Sequence, residues 1–266
     1  MPKSLAEQQF GPHAAHYATS TVHAAGESLG MLVARIAPTP EWRVLDVATG
    51  AGHMAAAIAP HVAEVVASDI TEEMLAETAR MAVARGLANV GTTRAEAGAL
   101  PFADASFDAV VCRLAAHHFP SIPRFVAEVR RVLVPGGTFG LVDNVGPDAE
   151  ILPGHTADGI AAADAAYDAF ERLRDPSHVR ALTREEWRRV ITREGVSIAS
   201  EELIAKELAF GPWVERMSCD PATVLRLEAM LEVGPAPLIA FLQPRGSASA
   251  RHFVLREYIL VATAPA

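Results

Sequence analysis

The chain has 266 residues, half of them hydrophobic, and its 23 Lys and Arg face 32 Asp and Glu for a formal charge of −9. That length carries one large α/β unit or two small ones, with apolar residues enough for a sizeable core. The acidic balance argues against nucleic acid as partner, and no run approaches the roughly 20 apolar residues of a bilayer span, so no membrane insertion is expected.

The first residues, MPKSLAEQQFGPHAAHY, lack the charged-then-apolar pattern of a secretory signal, and the expected location is cytoplasmic. Residues 1–38 read as N-terminal helices. Val44-Leu45-Asp46-Val47 is a strand candidate, followed by the alanine-rich helical segment His53 to Ala59. Val65 to Ser68 is a second strand, and Thr71 opens a helix with Glu72 and Glu73 in its first turn. A third strand falls near Val90 to Ala95 and a fourth at Phe107 to Cys112. A helix follows around Ile122 to Leu133, ended by Pro135-Gly136-Gly137, and Thr138 to Asp143 is a fifth strand. This alternation predicts right-handed crossovers and a parallel sheet covered on both faces.

After Asp143 the rhythm breaks. Residues 148–180 read as largely helical, and Thr183-x-x-Glu186 is a capping box opening a helix that stops at Gly195. Glu202 to Phe210 and Phe253 to Ala262 are extended, which predicts a final antiparallel pair with an inserted helical cap. One domain over 1–266 is expected, with a core at 40–145 and cap insertions at 146–182 and 211–250. Arginines from Arg172 to Arg193 alternate in part with Glu185, Glu186 and Glu194, the pattern of a solvated helix face. Two cysteines, Cys112 and Cys219, exclude a disulfide framework and a cysteine-rich metal site.

Gly50 and Gly52 follow a strand and open a helix, so the backbone there can approach a ligand closely. Gly50-Ala51-Gly52-His53-Met54-Ala55 also fits a dinucleotide-binding pattern, which leaves a nicotinamide oxidoreductase or a non-catalytic cofactor-binding protein open. Asp46 lies inside the strand, where a pyrophosphate turn has no use for a carboxylate but a cationic amino group would. Asp69 ends the second strand, where an acid can accept from two ribose hydroxyls.

Four segments in order, LDVATGAGH, ASDIT, AEAGALPFADASFDAVVC and RVLVPGGTF, resemble the class I S-adenosylmethionine-dependent methyltransferases of the ubiquinone/menaquinone-biosynthesis type, in a little-characterised bacterial branch. The resemblance covers roughly residues 40–145; Ala48 stands where many members have Gly. It implies a Rossmann-like, doubly wound seven-stranded sheet, mostly parallel with an antiparallel last strand, and S-adenosylmethionine as cofactor. Ala48, Thr49, Gly50 and Gly52 would then wrap the methionine portion, with Asp46 near its amino group. Asp69 would hold the ribose, Ile70 and Met74 would pack on the adenine, and Glu96 and the Ala97 N–H would meet its edge. Arg113 would lie beside the methionine carboxylate or the sulfonium.

His117 and His118 leave the carboxyl edge of the sheet at its switch point and are candidate bases, since a near-neutral histidine can take a proton from a hydroxyl, amine or activated carbon. Bracing the loop is the alternative for each. Asp143 and Asn144 are expected to wall the substrate site. Tyr17 near the N-terminus, with Ser20 and His23, and Arg174 and His178 in RLRDPSHVR are further candidates. Arg174 and His178 could meet an anionic or carbonyl group, or Arg174–Asp175 and Arg180–Asp175 pairs could merely tie down the cap. The expected acceptor is a small molecule methylated on O, N or C. No metal is expected, because His53, His117 and His118 show no cluster of carboxylate partners. A homodimer is left open.

Overall fold

The computed structural model describes residues 4–14, 26–247 and 250–266; Tyr17, Ser20 and His23 lie outside them. Among the described residues, the helices α1 (Leu5–Phe10) and α2 (Glu27–Ile36) precede the sheet. The alternating part runs β1 (Arg43–Val47), α3 (His53–Ile58), β2 (Glu64–Asp69), α4 (Glu72–Ala84) and β3 (Val90–Arg94). It continues with β4 (Phe107–Arg113), α5 (Ile122–Val132) and β5 (Leu133–Asn144).

The seven strands lie in the order β3-β2-β1-β4-β5-β7-β6. β1 to β5 pair in parallel, and β7 (His252–Thr263) runs antiparallel to both β5 and β6 (Ser197–Ala209). The reversed last strand agrees with the expected sheet. From β1 the chain winds outward to β3, then returns to lay β4 against the other side of β1. The carboxyl ends of β1 and β4 are therefore neighbours, Val47 beside Cys112, and loops leaving them in opposite directions open a crevice.

Both faces of the central strands are covered, which is why they read as continuous apolar runs. Leu45, Val110 and Leu141 pack on Phe125 and Val129 of α5 and on Trp187 of α7 (Arg184–Arg193). On the other face Val44, Ala67 and Val111 meet Leu32 and Ile36 of α2 and Met54 of α3. Asp46 shares the parity of Val44 and is as buried as its apolar neighbours, so this carboxylate sits in the strand against the ordinary pattern.

A third apolar cluster forms the cap. It joins Tyr167 and Phe170 of α6 (Ala157–Arg174) to Trp213 of α8 (Phe210–Glu215), with Leu227 of α9 (Pro221–Val233) and Phe241 of α10 (Ala236–Leu242). Leu208 and Phe253, at the adjoining ends of β6 and β7, continue that cluster into the sheet. The Thr183–Glu186 capping box forms as read from the sequence. Three boundaries differ. β6 begins at Ser197 because the ladder with β7 reaches Thr263, although the edge strand's polar, exposed start gave no apolar signal. β5 likewise takes in Leu133 and the Pro-Gly-Gly turn, with a register shift between Phe107 and Ala109 on its partner. Within 148–180 only Ala157–Arg174 is helical; 148–156 are turns, and 175–180 form a loop held by side chains. The arginine stretch is also less solvated than expected, since Arg184 is buried against Asp148 at 2.8 Å. Among the described residues no helix is long and apolar enough to cross a membrane.

Candidate active site

The crevice at the strand ends opens into a cavity of about 1170 Å³. Its floor at one end is the turn from β1 to α3. Ala48, Gly50 and Gly52 are all left-handed there, with φ of 53°, 55° and 83°. A side chain at Gly50 would project into open space, whereas one at Gly52 would come within 2.6 Å of Met81 Cε and 2.9 Å of Thr78. Gly50 thus presents backbone to the cavity, while Gly52 lets α4 pack behind the turn and does not itself line the cavity. Ala48 has no such freedom, and its left-handed backbone carries strain of roughly 1–2 kcal/mol.

Asp46 and Asp69 fix this turn. Asp46 Oδ2 accepts from Thr49 Oγ1 at 2.6 Å, and Oδ1 has no hydrogen-bond partner among the described residues. Burial pushes its pKa up to about 7, against the hydrogen bond from Thr49. Asp69 Oδ2 accepts the Gly50 N–H at 2.9 Å and Oδ1 the Thr71 N–H at 2.8 Å. Burial raises its pKa too. The acid expected at the ribose therefore also ties the glycine turn to the end of β2. Ile70, Met74, Glu96 and Ala97 line the same end of the cavity. α1 covers it, with Glu7 paired to Arg94 at 3.0 Å and Phe10 edge-on to His118 at 4.9 Å between ring centres. Arg113 lies between the two halves; burial lowers its pKa against the attraction of Glu257 and Asp46.

Past Arg113 the chain turns sharply, with Leu114 left-handed at φ 54°, into a short 3₁₀ turn, Ala116–His118. This aims both histidines into the cavity. His117 Nδ1 lies 2.6 Å from Asp143 Oδ1, at the end of the neighbouring strand β5. The ring nitrogen donates to that carboxylate, which leaves Nε2 as the basic atom. Burial alone would lower the His117 pKa, but the charge of Asp143 and its hydrogen bond outweigh it and the pKa is raised.

His118 has the opposite setting. Ser177 Oγ donates its one hydrogen to Asp175 Oδ1 at 2.6 Å. The 3.1 Å contact between Ser177 Oγ and His118 Nδ1 must then be donated by the histidine. Burial first, and the adjacent His117 second, push its pKa well below the ordinary range. One histidine is thus held for protonation and the other as a neutral ring. Single carboxylates nevertheless stand by these histidines: Asp143 bonds His117, and Asp175 reaches His118 through Ser177. Among the described residues no three His, Cys, Asp or Glu side chains are grouped to hold a metal ion.

The RLRDPSHVR segment closes the far side. His178 Nε2 meets Asp168 Oδ1 at 2.8 Å, and its ring stands 5.7 Å from that of His117. The ties expected through Asp175 are made elsewhere. Arg174 pairs with Glu171 at 3.2 Å and lies 4.5 Å over the Trp213 ring, while Arg180 reaches Asp164 and Glu186 at 2.9 Å. Asp175 turns back on its own loop, accepting from the Ser177 N–H at 2.9 Å, because it initiates the turn that carries Ser177 and His178. Asn144, Arg174 and His178 all line the cavity. The sequence reading did not single out Glu171, Lys206, Trp213 and Glu257, which line it as well. Glu257 had a signal: it is a charge within the apolar run FVLREYILVA, and it is fully buried against Lys206 at 2.5 Å.

A doubly wound sheet with a glycine turn after β1, a carboxylate after β2 and a cap over the switch point places the chain in the Rossmann-like class of folds. Residues 45–141 match the family model described as a methyltransferase domain. The methyltransferase YcgJ of Bacillus subtilis is 35% identical over 210 residues, covering 79% of each chain. A demethylmenaquinone methyltransferase of Thermus thermophilus is 43% identical over 97 residues, 36% of this chain and 44% of that one. The crystal structure of a Bacillus halodurans protein superposes with a TM-score of 0.82 at 31% identity, covering 91% of this chain and all of the other. The chain belongs to the class I methyltransferase family and is a methyltransferase. The oxidoreductase and non-catalytic alternatives have no support in these relatives.

Proposed function

We propose that this methyltransferase uses S-adenosylmethionine to methylate a small organic metabolite in the cytoplasm, with His117 as general base. The observation that carries this reading is one continuous cavity joining the glycine turn to the His117–Asp143 pair. The residues present suit the cofactor: Asp46 offers a buried oxygen without a partner, fit for an ammonium, and the cavity side of Gly50 is open backbone. Asp46, Ala48, Thr49 and Gly50 would hold its methionine portion, Asp69 its ribose, and Ile70, Met74, Glu96 and Ala97 its adenine. Gly52 would support that turn from behind. When bound, S-adenosylmethionine supplies an electrophilic methyl group on a sulfonium, whose thioether leaves neutral in an in-line displacement.

His117 Nε2 would take the proton of the acceptor's hydroxyl, amine or activated carbon, and Asp143 would hold the resulting imidazolium. A raised pKa suits this task, whereas His118, kept neutral, positions the Ser177 loop. α1 and the cap would exclude water and align the acceptor, an effect worth roughly 7–11 kcal/mol when orientation is good. We infer one domain over 1–266, the cap assembled from α1, 146–182 and 211–250 around the core at 40–145; α2, expected with the cap, instead covers a face of the sheet. The test supplies labelled cofactor and a bacterial metabolite extract. Label should enter a small molecule with the parent protein and not with His117→Asn, while both bind S-adenosylhomocysteine alike. Equal labelling by the variant would remove His117 as the base.

A further inference from the structure

The end of the cavity beyond His117 carries polar atoms that no described residue answers. It is walled by Glu171 and Arg174 at the end of α6, by Trp213 of α8, and by Lys206 and Glu257 on β6 and β7. Lys206 and Glu257 answer each other at 2.5 Å. The other three do not close among themselves. Arg174 and Glu171 share a 3.2 Å contact, yet Arg174 Nε and Glu171 Oε1 are buried with no partner among the described residues. Trp213 Nε1 is in the same state, in a side chain about 1% exposed. The Arg174 guanidinium lies over the Trp213 ring at 4.5 Å, so the two lone donors belong to one patch. Phe170 stacks on the indole at 5.0 Å and the Phe253 edge meets it at 4.9 Å, which fixes the ring. A buried donor or acceptor without a partner costs about 1–3 kcal/mol, so two donors and one acceptor left over in one wall are groups that a ligand can answer.

We propose that this wall is the anchor for the methyl acceptor, and that the acceptor is a small organic acid carrying a hydroxyl or amino donor beside its carboxylate. The proposal rests on the methyltransferase reading of the cavity. The carboxylate's two oxygens answer Arg174 Nε–H and Trp213 Nε1–H, as charge-assisted bonds favour. The neighbouring O–H or N–H donates to Glu171 Oε1. Beside Glu171, whose charge Arg174 already shares, the single charge of a carboxylate is better tolerated in a desolvated pocket than the double charge of a phosphate. Leu208 and Leu255 flank the patch and leave apolar surface for the rest of a compact molecule.

The experiment is a calorimetric titration of the protein saturated with S-adenosylhomocysteine, using small 2-hydroxy and 2-amino acids. Each acid is paired with its primary amide and with a phosphate monoester of similar size. At least one acid should bind, its amide at least tenfold more weakly. Trp213→Phe, which keeps the ring stack and removes only the N–H, should weaken that acid about fivefold to tenfold, and Arg174→Gln at least tenfold. S-adenosylhomocysteine affinity should stay within about twofold in both. Amides or phosphates binding as well as acids, acid affinity unmoved in both variants, or no acid binding at all would each overturn the proposal. If the parent protein failed to bind S-adenosylhomocysteine, the cofactor reading beneath it would fall first.

Discussion

At the scale of single residues, the site depends on two carboxylates used in opposite ways. Asp46 is buried with one oxygen unanswered among the described residues, and burial pushes its pKa up to about 7, well above the ordinary 3.8. The native state therefore keeps this proton longer than the unfolded chain does. Its contribution to stability is fullest below about pH 4 and is lost as pH rises through about 7. Asp46→Asn should accordingly stabilise the cofactor-free protein at pH 8 by about 1–3 kcal/mol in denaturant melts, and weaken S-adenosylhomocysteine strongly. Unchanged cofactor affinity would show that Asp46 has no part in holding it. Asp143 instead supports a charge. With His117 raised by that carboxylate, activity should climb with pH through a midpoint above 6.5, as the base loses its proton. Asp143→Asn leaves burial opposed only by the charges of Glu171 and Asp175, so the midpoint should move to lower pH while kcat falls about 10²–10⁴-fold toward the level of His117→Asn. A midpoint that stays put in Asp143→Asn would assign the limb to another group. Asp143 was readable as a wall residue because it ends a strand, but its bond to His117 depends on β4 and β5 lying side by side. Glu171 and Trp213 were not readable at all, since only the packing of α6 on α8 brings them to the cavity.

At the scale of elements, the β1–α3 turn sets two small residues against each other. Gly52 is required by both its φ of 83° and the 2.6 Å approach a Cβ would make to Met81 Cε. Gly52→Ala should cost about 2–4 kcal/mol and weaken the cofactor by displacing the turn. Ala48 has adopted a left-handed backbone at φ 53° without glycine's freedom. Ala48→Gly should therefore stabilise by about 0.5–1 kcal/mol, the relief of strain exceeding the extra freedom given to the unfolded chain. Equal effects of the two substitutions in urea melts would contradict this assignment. The βα units were legible because strands buried on both faces leave short apolar runs between helical periods, as in Val44 to Val47 and Ala109 to Cys112. The start of β6 was not, because an exposed edge strand such as Ser197 to Glu201 can be polar on both faces. The loop at 175–180 was missed for another reason. Its shape comes from Asp175, Ser177 and His118 bonding one another, and the histidine lies 59 residues away from the serine.

At the scale of the whole molecule, cavity and cap are one construction. β6 and β7 run on past the parallel strands, and their ends carry Leu208 and Phe253 into the cap cluster, so the acceptor wall is fixed to the same sheet that carries the glycine turn. Fold class and cofactor end were visible in four ordered segments, whereas the acceptor wall is assembled from α6, α8, β6 and β7 and has no contiguous signature. A ligand that bridges these parts should stabilise all of them together. The central claim is that the cavity takes S-adenosylmethionine, and thermal unfolding with its demethylated product tests it most directly. S-adenosylhomocysteine at about a hundred times its Kd should add about 2.7 kcal/mol and raise Tm by roughly 5–10 °C, while NAD and NADP leave it unchanged. Protection by NAD or NADP, or none by S-adenosylhomocysteine at millimolar concentration, would contradict the account.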